Sequence, residues 1–183
     1  MNNTSQYSDL DGMIRSMQRE DMRNLRIARN FQIIMWFFVF LYFLMFLVNP
    51  DPYFSLLNRL GGFFYVLAFL LFALIFRQLH LEYKYVDYSL HVLEMLRQAV
   101  KRYSLFQRKV LMVIIPILLI DAGMVLLTYN PEHGEVLQER ILWANSILIP
   151  ALSIGMLIGY TIWRKRQKPL RDSALSMLHD FES

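Results

Sequence analysis

The sequence predicts an all-α fold: an integral membrane four-helix bundle, built as two transmembrane hairpins, with amphipathic helices on its cytoplasmic side. Composition is the first reason, because 56% of the 183 residues are hydrophobic and 15% aromatic, which suits a polytopic membrane protein better than a soluble domain. The second is four long apolar runs at 31–48, 60–76, 110–129 and 141–163. The third is charge: 17 of the 19 Lys and Arg fall in three segments on one side of those runs.

Residues 1–30 form the first polar segment. They lack the basic start, short apolar stretch and small-residue cleavage site of a secretory signal, so the first span is expected to double as an uncleaved anchor. Leu10, Met13, Ile14, Met17, Leu25 and Ala28 recur at near-helical spacing, and Arg15, Arg19, Arg23 and Arg26 line another face. This predicts an amphipathic helix that lies against lipid head groups or docks a cytoplasmic protein. Asp9, Asp11, Glu20 and Asp21 dilute its positive charge, which favours a generic interfacial helix over a dedicated acidic-lipid sensor.

The four runs hold 18, 17, 20 and 23 residues. A helix needs roughly 20 residues to cross a hydrocarbon core of about 30 Å, so each can cross once. Phe54, Leu56 and Leu57 precede the second run, and Arg59 can snorkel to the head groups, so that span is read as 56–76. The spans are thus 31–48, 56–76, 110–129 and 141–163 within a bundle covering 31–163. Strands are excluded, because no run alternates with period two and lipid would leave an open sheet edge unpaired.

Orientation follows from Lys and Arg: five in 1–30, seven in 77–109, five in 164–183, and only Arg59 and Arg140 elsewhere. The positive-inside rule makes both termini and 77–109 cytoplasmic. Two short outward connections remain, one with Asn49-Pro50-Asp51-Pro52 and one with Asn130-Pro131, His133-Gly134 and the acids Glu132, Glu135 and Glu139. Short breaker-rich loops make antiparallel neighbours, hence the hairpins. Tyr53, Phe54, Tyr129 and Trp143 are expected at the outer interface, and Tyr103, Tyr160 and Trp163 at the inner one. No repeat supports inverted transporter symmetry.

Within the helical connection 77–109, Val86, Leu90, Leu93, Leu96, Val100 and Tyr103 keep a 3.6-residue spacing, leaving Arg97, Lys101 and Arg102 to solvent or lipid. This helix either caps the inner end of the bundle or pairs with a partner helix. The basic tail 164–183 opens with Arg164, Lys165, Arg166 and Lys168, a stop signal, and continues into a short amphipathic helix over 170–181. The basic residues expected at the membrane surface are Arg15, Arg19, Arg23, Arg26, Arg164, Lys165 and Arg166.

Asp121 is the one ionisable residue inside a span. It lies about 12 Å below the outer boundary at helical rise. An unpaired carboxylate there costs roughly 2.5 kcal/mol or more, so it must face the bundle interior, find donors or be protonated. Asn145, Ser146 and Ser153 of the fourth span match its depth as donors, with Tyr65 and Tyr42 as looser candidates. Pro116 and Pro150 are expected to kink the third and fourth helices and free carbonyls nearby. The set reads either as a clamp between spans three and four or as a proton or cation site. Ala151, Gly155 and Gly159 recur every four residues as a flat helix-packing strip, for span three of this chain in preference to a second copy.

Enzymatic signals are weak. Absence of cysteine removes disulfides, thiolate metal sites and thiol nucleophiles. The Ser153 context only faintly resembles a nucleophile turn, no His lies in a span, and His91 with Glu94 lacks further ligands. His80, His133 and His179 have no evident partners, and no phosphate loop or dinucleotide turn occurs. The bases flank apolar runs instead of forming a nucleic-acid face, so no nucleic acid, cofactor or metal is expected. The sequence therefore suggests a non-enzymatic helix-packing subunit, adaptor or regulator. Its expected partners are the lipid bilayer, a second copy or another membrane protein, and a cytoplasmic protein. The alternative is a small proton- or cation-coupled transporter using Asp121, and a lipid-modifying enzyme is a weaker third reading. A bacterial cytoplasmic membrane, with both termini inside, is the preferred location, and a eukaryotic endomembrane the other.

Overall fold

The computed structural model describes residues 3–49, 55–105, 111–129 and 136–182, with side chains from Leu10 to Phe181. About 90% of the described residues are helical, and none of them is in a strand. Helix α1 runs Asn3–Tyr42 and continues as a π-helical stretch, Phe43–Val48. α2 is Leu56–Lys84, α3 Val92–Arg102, α4 Ile114–Thr128 and α5 Leu137–Ile162. A second π-helical stretch, Trp163–Gln167, leads into α6, Lys168–Glu182. The stretches holding α1, α2 and α5 are long and apolar enough to cross a membrane, whereas α4 is a shorter apolar helix of 15 residues. Its helical rise covers about 22 Å, less than a hydrocarbon core of about 30 Å.

The residues group into two compact units. The first gathers Met1–Ile27, Leu79–Gln107 and Leu157–Ser183. Its core is made by three amphipathic stripes: Leu10, Met13 and Met17 from α1, Met95, Leu96, Ala99 and Tyr103 from α3 and its end, and Ala174 and Leu178 from α6. Each stripe is apolar on one face only, so water is excluded when the three meet. The turn into α3 is fixed by Asp87, whose carboxylate accepts from the Ser89 amide at 2.8 Å and hydroxyl at 2.6 Å. These bonds hold the Asp87 carboxyl below the usual carboxylate range. Glu94 in the first turn of α3 and Lys101 and Arg102 in its last suit the helix dipole.

The second unit comprises Ala28–Gln78 and Arg108–Met156. α1 and α2 run antiparallel along an aromatic ladder, with ring centroids 5.1 Å apart for Phe31 and Phe76, 5.2 Å for Phe38 and Phe69, and 5.1 Å for Tyr42 and Tyr65. The members on each helix are seven and then four residues apart, one face of an α-helix. Ser55 caps α2, its hydroxyl accepting from the Asn58 amide at 3.2 Å. Arg59 donates to the Asn49 carbonyl at 3.3 Å, tying the start of α2 to the end of the first π stretch.

Close packing here depends on glycines. A Cβ on Gly61 would stand 2.9 Å from Leu127 Cγ and 3.0 Å from the Gly123 carbonyl oxygen, and one on Gly123 would stand 2.9 Å from the Tyr65 ring. Gly62 likewise makes room for Phe46. α2 therefore meets α4 backbone to backbone. At Gly155 and Gly159 a Cβ would meet nothing within 4 Å, and both lie with Ala151 on an exposed face of α5. The predicted packing strip thus receives no helix among the described residues of this chain, and the expectation that span three fills it is corrected.

The two prolines differ in placement. Pro116 is buried in the first turn of α4, after a break in the helix at Val113. Amides of a first turn have no intrahelical acceptor, so its missing N–H removes no bond there. Pro150 sits inside the unbroken helix α5. The predicted loop residues Pro50, Asp51, Pro52, Tyr53, Phe54, Asn130, Pro131, Glu132, His133, Gly134 and Glu135 lie outside the described residues, as does Val110 at the start of the third run.

Candidate functional site

Two polar centres stand out, one in each unit. In the first unit Asp21 is 3% exposed, although it belongs to the α1 face that carries Met13 and Met17 into the core. Its carboxylate accepts from the Tyr88 hydroxyl at 2.6 Å and from the Tyr103 hydroxyl at 2.8 Å, and it pairs with the Arg102 guanidinium. Burying an ion pair costs several kcal/mol of desolvation per ion, which close geometry and extra donors offset. Asp21 has both, so the node joins α1 to α3 and to the turn before it.

Burial pushes the Tyr103 hydroxyl well above its ordinary pKa, with the Asp21 charge adding to the rise and Arg102 opposing it. Tyr88 is raised for the same leading reason, helped by its hydrogen bond to Asp21. Both phenols are therefore protonated donors at neutral pH, and neither is an activated nucleophile. The Tyr103 carbonyl accepts from Trp163 Nε1 at 2.9 Å, and the Arg171 guanidinium lies over the Trp163 ring at 5.3 Å. The node thus reaches the start of the second π stretch. Nearby, Glu20 pairs with Arg23 at 3.0 Å, while Glu20 Oε1, Asn24 Nδ2 and His80 Nδ1 are buried without a protein hydrogen-bond partner.

These facts alter several expectations. Arg102 is a buried ion-pair partner, not a solvent-facing base, and Tyr103 is fully buried core, not an interfacial aromatic. Arg23 is engaged by Glu20, whereas Arg15, Arg19, Arg26, Arg164, Lys165 and Arg166 are exposed. Sequence reasoning missed the node although a signal existed: Asp21 stands four residues after Met17, in register with the apolar stripe.

In the second unit Asp121 is half-buried, and its Oδ1 has no protein hydrogen-bond partner. Its depth-matched candidates do not meet it. Asn145 donates to the Ile141 carbonyl at 3.0 Å, Ser146 to that of Trp143 at 2.6 Å, and Ser153 to that of Ile149 at 2.8 Å. Each satisfies itself on its own helix, a common habit of short polar side chains. Tyr65, stacked on Tyr42, lays its ring against Gly123, two residues along α4 from Asp121. The expected clamp between the third and fourth runs therefore has no hydrogen bond among the described residues. No group of three or more His, Cys, Asp or Glu able to hold a metal ion occurs among the described residues.

Comparison with protein-family models, curated proteins and solved structures finds no match to this chain.

Proposed function

We propose that this chain is a four-span, non-enzymatic membrane protein that acts as a helix-packing subunit and presents its folded polar unit to a partner as an adaptor or regulator. The carrying observation is the single core shared by the α1 start, α3 and α6. Segments that bury one another cannot lie on opposite faces of a bilayer, so the chain between each consecutive pair crosses an even number of times. α1 with α2 supplies one such pair of crossings, and α5 requires α4 as its companion despite the shorter helix. The positive-inside rule then puts the shared unit and both termini in the cytoplasm, with a bacterial cytoplasmic membrane as the preferred setting.

Because the three amphipathic stripes are spent on one another, recognition falls to the outer faces of that unit and to α5, whose apolar side chains are broadly exposed. On α6, Leu175 and Phe181 are 45% and 48% exposed. A photo-crosslinking residue at either position should give a discrete protein adduct in native membranes. Adducts to lipid alone would contradict the adaptor reading.

The buried, unpartnered Asp121 Oδ1 favours a second reading, a small proton- or cation-coupled carrier. Loss of pH-driven flux in proteoliposomes of an assembled Asp121→Asn variant would move the assignment to it.

A further inference from the structure

The geometry points to the second π stretch, Trp163–Gln167, as a binding site for the head group of an anionic phospholipid. This rests on the four-span reading above. Arg164, Lys165 and Arg166 are consecutive and exposed, and no carboxylate pairs with any of them among the described residues. A run of three unneutralised cations is electrostatically costly unless an anion or bulk water answers it. The turns immediately before it are apolar and open: Leu157, Ile158 and Ile162 are 66%, 55% and 41% exposed. The cations therefore stand where a lipid-facing helix emerges, at the level of phosphate groups.

The stretch is also held in place, which distinguishes it from a loose basic tail. Trp163 Nε1 is fixed to the Tyr103 carbonyl at 2.9 Å, Arg171 covers the same ring, and the Lys168 amide closes the wide turn onto the Trp163 carbonyl. Tyr160 packs on Trp163 at 5.9 Å between ring centroids, an aromatic pair suited to the head-group boundary. Guanidinium groups present paired donors that match a phosphate. Two other basic residues of the unit already have carboxylate partners, Arg23 in Glu20 and Arg102 in Asp21.

Trp163 makes the test direct. The full chain carrying Trp36→Phe and Trp143→Phe is reconstituted into phosphatidylcholine vesicles, and Trp163 emission is followed with brominated phosphatidylcholine or brominated phosphatidylglycerol as quencher. One basic residue near an anionic surface is worth about fivefold in affinity. The anionic lipid should therefore quench at least about fivefold more effectively per mole. That preference should vanish in Arg164→Gln/Lys165→Gln/Arg166→Gln. It should also shrink between about 0.1 M and about 1 M salt, where the screening length falls to about 3 Å, an arm that needs no cation-site variant. Equal quenching by the two lipids, or a preference indifferent to salt, would overturn the site while leaving the membrane reading intact. Absence of quenching by either lipid would overturn both.

Discussion

Asp21 places a carboxylate inside an apolar core, and the consequences of removing it differ from those of removing its whole network. Removing either member of the buried Asp21–Arg102 pair should cost about 3–5 kcal/mol, because the desolvated charge that remains loses its counter-charge. Asp21→Ala or Arg102→Ala should accordingly lower the thermal midpoint of the first unit, followed by limited proteolysis of its helices in detergent. The double change Asp21→Leu/Arg102→Met should recover much of that loss, since an apolar pair has no charge to desolvate. Additive losses would show that the pair is not coupled. Alkaline pH tests the phenols: the folded-state pKa of Tyr103 and Tyr88 is raised, so their stabilisation is complete below the unfolded value near 10 and is lost as pH rises above it. Tyr103 should contribute a fall of up to about 1.4 kcal/mol per pH unit in that window, and the half-buried Tyr88 less. Emission of Trp163, which is bonded to the Tyr103 carbonyl, reports the transition.

At the scale of elements, amphipathic periodicity was legible for each polar helix, and the stripes of α1, α3 and α6 are the ones that pack. What the stripes pack against was not legible. An apolar face of given width is equally suited to lipid, a partner or another stripe of the same chain, and helical period carries no information about which. Glycine spacing misled for a related reason. Ala151, Gly155 and Gly159 have the regular four-residue interval of a packing motif, but close approach occurs at Gly61, Gly62 and Gly123, where partners from distant sequence arrive. Gly123→Leu or Gly61→Leu should therefore disrupt the second unit by overpacking, typically about 1–3 kcal/mol or more. Gly155→Leu should leave the fold of the isolated chain intact. Equal tolerance at all three positions, judged by the thermal midpoint in detergent, would contradict the backbone contact of α2 with α4.

For the whole molecule, three stretches long and apolar enough to cross a membrane were legible because lipid imposes a length rule on sequence directly. The shortness of α4 was not, since the third run reads as 20 residues while its helix begins only at Ile114, after the break at Val113. Asp121 shows the same limit: depth along a helix suggested donors on α5, but those side chains bond their own backbone, and its Oδ1 has no protein hydrogen-bond partner. The central claim is that one core shared by three separated segments forces two hairpins through the bilayer. Because the chain has no native cysteine, single substitutions provide a clean readout. Asp51→Cys, His133→Cys and Asp87→Cys, each introduced alone, are treated in intact cells with a membrane-impermeant maleimide. Labelling at 51 and 133 from outside, with 87 reached only after lysis, is the predicted result. Protection of position 133 in intact cells together with labelling after lysis would mean that α4 does not cross, and the four-span account would fail.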